Sequence, residues 1–134
     1  MVSVSDDVSA RFNALRMQRA ARFLVIRLND TKNQVIIETE GARDATFEAF
    51  KAAVPADEPR FAVYDLEFKT EDGRNESKIL FIMFSPDNAK TPADRFVYAQ
   101  SKESVKQKCN PTHKEFQIND YADLDEAQFI AEFN

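Results

Sequence analysis

The sequence holds one cysteine, one histidine, two glycines and no tryptophan, and each scarcity removes a class of function. With Cys109 alone, no disulfide can close within the chain, which fits a reducing compartment. One His and one Cys fall short of the four ligands of a structural zinc site. Gly41 and Gly73 cannot by themselves build a phosphate-cradling glycine-rich loop. No metal and no cofactor are therefore expected. No apolar run approaches the roughly 18 residues of a membrane span. The opening MVSVSDDVSARF has neither the basic start nor the apolar stretch of a signal peptide, so a cytoplasmic chain is expected. A net charge of −5 argues against nucleic acid as a partner, because that binding needs clustered Lys and Arg to release counterions.

What is present suits one globular domain spanning residues 1–134, with 43% hydrophobic and 31% charged residues. Twelve phenylalanines imply a core of Phe, Val, Ile and Leu. Charge is uneven: Arg11, Arg16, Arg19, Arg22 and Arg27 fall early, while Asp120, Asp123, Asp125, Glu126 and Glu132 crowd the tail. This pattern predicts one basic and one acidic face. A monomer is expected, since nothing demands a permanent apolar interface.

Periodicity gives the element order. Ser5 to Met17 reads as a helix, with Ser5 as N-cap, Asp6 and Asp7 at the positive end of the dipole, and Val8, Phe12 and Leu15 at helical spacing. RFLVIRLND from Arg22 and QVIIETE from Gln34 form a hairpin about the polar turn NDTKN. Gly41 breaks the pattern, and from Asp44 a short helix places Phe47, Phe50 and Val54 on one side before Pro55. FAVYDLEF from Phe61 and KILFIMF from Lys78 flank an Asp72-Gly73 turn, and the second is apolar enough to be covered on both faces. SPDNAKTP is a loop punctuated by Pro86 and Pro92, DRFVYAQSKESVKQK a long helix, KEFQIND a short strand and LDEAQFIAEF a terminal helix. The result is an α+β fold with a mixed sheet of five to six strands and helices on both faces.

Catalysis would need a nucleophile, a base and an orienting group. The nearest pair, Cys109 and His113, sits in a helix-ending loop beside Pro111 and reads as structural. The tail acids lack the spacing and central glycine of a calcium loop and read as caps of the last helix. Lys102, Lys106 and Lys108 taken alone read as a solvated helix face.

Four segments, in this order and spacing, resemble the actin-depolymerising factor/cofilin family: VSDDVSARFNALRM from Val4, PRFAVYDLEF from Pro59, SKILFIMFSPDNA from Ser77 and FVYAQSKESVKQK from Phe96. The resemblance covers nearly the whole chain. It implies a non-enzymatic module that binds actin monomers, preferably ADP-bound, and filaments, and that promotes depolymerisation, severing and turnover. Carried over by position, it assigns monomer contact to Val2, Ser3, Val4, Ser5 and Asp6, to Arg95 and Phe96, and to Gln100, Lys102 and Lys106. It assigns filament contact to Arg74, Glu76, Lys78 and Glu132, and Tyr98 to the core. Phosphoinositide head groups follow as weak ligands of the long helix. The serine that the family uses for phosphoregulation would precede Met1, leaving Ser3 as its substitute.

Departures from the pattern qualify these roles. Ala93 stands where the family commonly has a basic residue. Glu76 replaces another, and Asn134 ends the chain where relatives carry a basic tail. Like charges at a contact slow encounter and cost affinity, so weakened filament binding is expected. A longer loop before the long helix, PRFAVY, EDGR and the acidic FQINDYADLDE are similar to glia maturation factor. That resemblance implies the alternative of a regulator of the actin-related branching complex that leaves actin itself unbound.

Overall fold

In the computed structural model, residues 2–133 are described. Asn134, on which the expectation about a basic tail falls, lies outside them, as does Met1. The chain forms β1 (Ser3–Val4), α1 (Asp6–Gln18), β2 (Ala21–Leu28), β3 (Gln34–Ala42), α2 (Phe47–Ala53), β4 (Arg60–Lys69), β5 (Asn75–Phe84), α3 (Pro92–Lys108), β6 (Lys114–Ile118) and α4 (Glu126–Ala131), with a 3₁₀ turn at Tyr121–Asp123. One six-stranded sheet has the order β1-β3-β2-β4-β5-β6. The two outer pairs, β1 with β3 and β5 with β6, are parallel and the inner three are antiparallel. The sheet is thus mixed, as expected.

Strand alternation divides the core in two. Phe61 and Val63 on β4, with Ile79, Phe81 and Met83 on β5, join Val8, Phe12, Leu15, Tyr98 and Val105 under α1 and α3. The intervening Tyr64, Leu66, Leu80, Ile82 and Phe84 join Phe47, Phe50, Leu124 and Phe129 under α2 and α4. Phe61–Tyr64 of β4 and Ile79–Phe84 of β5 are therefore continuous apolar runs, because neither face meets water there. Aromatic edges knit the second layer: Phe47 lies 5.3 Å from Tyr64 and 6.0 Å from Phe129, ring centre to ring centre.

Several boundaries differ from the sequence expectation for identifiable reasons. Pro92 starts α3 and does not end the loop, since a proline loses nothing at the first helical position, where its missing N–H would have had no partner. Gly41 lies inside β3, opposite Phe23. A Cβ there would collide with the Phe23 ring, so the glycine makes room for an aromatic and breaks no strand. The tail acids do not cap the last helix: Asp120 caps the 3₁₀ turn instead, accepting the Ala122 amide at 3.0 Å, and Asp125 precedes α4 without a side-chain cap bond. The anticipated basic face is largely consumed internally. Arg11 pairs with Glu40 at 2.6 Å, Arg19 and Arg22 with Glu67 at 2.7 and 2.5 Å, and Arg27 with Asp30 at 2.9 Å.

Two outcomes follow from this packing. Gly41→Ala is expected to lower unfolding free energy by about 1–3 kcal/mol through overpacking, and Phe23→Leu in the same chain should recover part of it; urea denaturation of the single and double variants checks both. Burial, reinforced by nearby Glu48 and opposed by Arg22, raises the pKa of Glu126. A carboxyl whose folded pKa exceeds its unfolded one contributes most below the unfolded value and loses that contribution as pH rises through the folded one. Glu126→Gln should therefore raise the thermal midpoint slightly near pH 7, with the gain vanishing as pH falls toward about 4, as calorimetry across that range would register.

Candidate functional site

Only three α3 side chains, Tyr98, Ser101 and Val105, are fully seated on the sheet. The Tyr98 ring lies 5.3 Å from Phe61, and its hydroxyl accepts the Leu28 amide at 3.0 Å. Burial raises the pKa of that phenol, which stays a neutral partner. With Tyr98 fixed inward, the helical repeat turns Phe96 outward, where it is 68% exposed. Met17, at the far end of α1, is the other large apolar side chain so exposed among the described residues.

Two flanks run beside Phe96. Along one lies the N-terminal segment: the Ser3 amide donates to Asn33 at 3.0 Å and that of Ser5 to Val35 at 2.9 Å, laying β1 along β3. Val2 then meets Gln100, Ser101 and Ser104 around a groove of about 290 Å³. Val4 packs on the core, and the Ser5 hydroxyl accepts the Asp7 amide at 3.3 Å, so Ser5 caps α1 as expected. Ser3 and Asp6 remain exposed.

Along the other flank Arg95, Lys102 and Lys106 recur at helical spacing, and each already has a partner in the fold. Arg95 donates through Nε to the Ser85 hydroxyl at 3.0 Å and lies 3.3 Å from Asp87. Ser85 is itself buried and tied to Ile118 and Asn119, so the guanidinium is held on a firm support. Lys102 and Lys106 converge on Glu115 at 2.5 and 2.6 Å. Hydrogen bonds from the two ammonium groups, Lys102 first, hold the Glu115 carboxyl below its ordinary pKa, while Glu115 raises that of Lys106.

A second surface lies at the far end of β4 and β5. Arg74 bridges Asp72 at 3.0 Å and Glu76 at 3.2 Å, and Lys78 lies 3.9 Å from Glu76. Register puts Glu76 opposite Phe68 and Lys78 opposite Leu66, hence on the α4 side of the sheet. Phe68 in turn stacks on Phe133 at 5.9 Å, beside Glu132. The sequence reading missed Lys114, which bonds Glu132 at 2.7 Å and sits over the Phe116 and Phe133 rings. Its signal was faint, one lysine in a short strand.

Cys109 and His113 do not form a reactive pair. Cys109 is buried and its thiol is pushed up to about 12, while His113 Nδ1 accepts the Ile79 amide at 2.8 Å. Among the described residues no group of three or more His, Cys, Asp or Glu is placed to hold a metal ion, and no helix is long and apolar enough to cross a membrane.

A family described as cofilin/tropomyosin-type actin-binding protein matches residues 1–134. The chain belongs to this family. Actin-depolymerizing factor 1 of Arabidopsis thaliana is 37% identical over 124 residues, covering 92% of this chain and 88% of that one. Actophorin of Acanthamoeba castellanii is 34% identical over 125 residues, covering 93% and 89%. Among solved structures, Streptomyces griseoflavus cofilin superposes with a TM-score of 0.89 at 25% identity, covering 98% of this chain and 96% of that chain. Glia maturation factor from Caenorhabditis elegans, at 0.76 and 22% identity over 99% and 96%, shares the fold.

On this cofilin-type scaffold the residues named for the first surface are brought together, with Val2 against Gln100 and Phe96 between the two flanks. Those named for the second are gathered at the opposite end of the central strands. The rotational setting of α3 depends on Tyr98. Tyr98→Phe strands the Leu28 amide and is expected to cost about 1–3 kcal/mol, with faster amide hydrogen exchange at Leu28 as the site-specific readout.

Proposed function

We propose that the protein binds actin monomers, preferably ADP-bound, through α3 and the N-terminal segment, and engages filaments through the β4–β5 turn and α4. It would thereby promote depolymerisation, severing and turnover. The observation that carries this reading is Phe96, a large apolar side chain 68% exposed between the N-terminal strand and a basic flank. A buried-on-binding aromatic ringed by polar groups is the usual anatomy of an interface hot spot. Family membership and the printed names of the relatives supply the partner.

No chemistry is required of the protein: a binder that prefers one nucleotide state or filament form shifts populations by its differential affinity. Filament engagement is weaker than is usual in the family, because Glu76 places its carboxylate beside the remaining cations Arg74 and Lys78 and Glu132 pairs with Lys114. Phosphoinositide binding is weak for the same reason, as Lys102 and Lys106 share Glu115.

Phe96→Ala should change unfolding free energy by less than about 0.5 kcal/mol while weakening the affinity for ADP-actin monomer at least about tenfold. Arg95→Ala should weaken it as well. Fluorescence titration of labelled monomer, with filament co-sedimentation alongside, measures both. Unaltered monomer affinity in the Phe96 variant would refute the reading. Wild-type protein that binds neither form of actin would redirect it to the actin-related branching complex.

A further inference from the structure

All three cations on the α3 flank are matched by carboxylates of the same chain: Asp87 for Arg95, and Glu115 for both Lys102 and Lys106. Glu115 is placed for this by the sheet. It lies in β6 opposite Phe81, whose side chain faces α1 and α3, so the register points Glu115 at the helix. Each of its oxygens takes one ammonium group. Lys102 and Lys106 stand one helical turn apart and would repel each other without it.

We propose that Glu115 is a specificity-determining residue of this surface, an internal carboxylate for which a partner's carboxylates must substitute before they can engage Lys102 and Lys106. The proposal rests on the reading of α3 as the partner-facing helix. Its physical content is an exchange of ion pairs. A partner acid gains two lysines only as Glu115 gives them up, so an acidic surface is rewarded by the difference between two sets of pairs. A diffuse polyanion therefore gains little. A partner whose carboxylates match the spacing of the two ammonium groups can complete the exchange. Long-range steering is discounted too, since the flank shows three cations and two carboxylates to an approaching surface.

Two arms test this on the full chain, with Glu115→Gln and, should that variant fold poorly, Glu115→Thr, which suits a strand. The first needs no partner: acylation of lysines by an activated ester, mapped by mass spectrometry with Lys108 as internal reference. Loss of the carboxylate should speed reaction at Lys106 about three- to tenfold, because more of the amine is neutral at a given pH. The second measures affinity for ADP-actin monomer and for poly-L-glutamate at several salt concentrations. Removing Glu115 should tighten binding about three- to tenfold at low ionic strength, the gain shrinking with salt and disappearing when Lys102→Gln and Lys106→Gln are added.

Unchanged Lys106 reactivity would overturn the proposal, and so would faster acylation without tighter binding to actin by a protein whose Phe96→Ala variant still loses affinity. In that second case the α3 reading stands and the exchange fails. If the wild type binds no actin, the α3 reading fails instead. The poly-L-glutamate series then decides the exchange: a lysine-dependent gain supports it and no gain overturns it.

Discussion

The hydroxyl of Tyr98 and the amide of Leu28 meet inside the core at 3.0 Å, and the setting of the α3 side of the first surface depends on that bond. An amphipathic helix resting on apolar contacts alone can rotate by a fraction of a turn at small cost, because dispersion and burial are not directional. A hydrogen bond to a strand amide is directional. With only Ser101 and Val105 beside it as fully buried anchors, Tyr98 settles which residues of α3 face the sheet and which face water. The exposure of Phe96 and the convergence of two lysines on Glu115 follow from that setting.

Charge in this molecule is arranged for internal compensation. Buried Asp65 accepts from Arg43 at 2.7 Å and from Ser77 at 2.6 Å, and Arg43 also meets Glu67, which serves Arg19 and Arg22. Buried Arg60 is held by Glu38 at 2.9 Å, and Lys32 lies 3.7 Å from Asp94 at the start of α3. Such pairs add little net stability when exposed, but leaving one member of a buried pair alone is costly. They account for the difference between a count of basic residues along the chain and the charge a partner would meet.

The sequence reading succeeded where a physical period is long enough to repeat. Val8, Phe12 and Leu15 mark α1, and the continuous apolar run of β5 marks a strand covered on both faces. Two-residue β1 has no period to show, and its pairing with β3, Ser3 with Gln34 and Val4 with Val35, joins residues far apart in the sequence. Gly41 was read through its local meaning as a breaker, whereas its reason is the Phe23 ring across the sheet. In the candidate surface, residue identities at Arg95, Phe96, Lys102 and Lys106 were legible through resemblance. The counter-ions Asp87 and Glu115 were not, because they come from a loop and a strand that only tertiary folding brings to α3.

β1 has a consequence for the sheet as well as for the surface it helps to form. Unpaired amides and carbonyls along an outer strand are a template for another chain. The parallel pairing of Ser3 and Val4 with Gln34 and Val35 covers that stretch of β3. A binding event that peels the N-terminal segment away would therefore bare a hydrogen-bonding edge unless the partner re-covers it. Occupancy of the segment is thus coupled to the resistance of the folded protein to self-association.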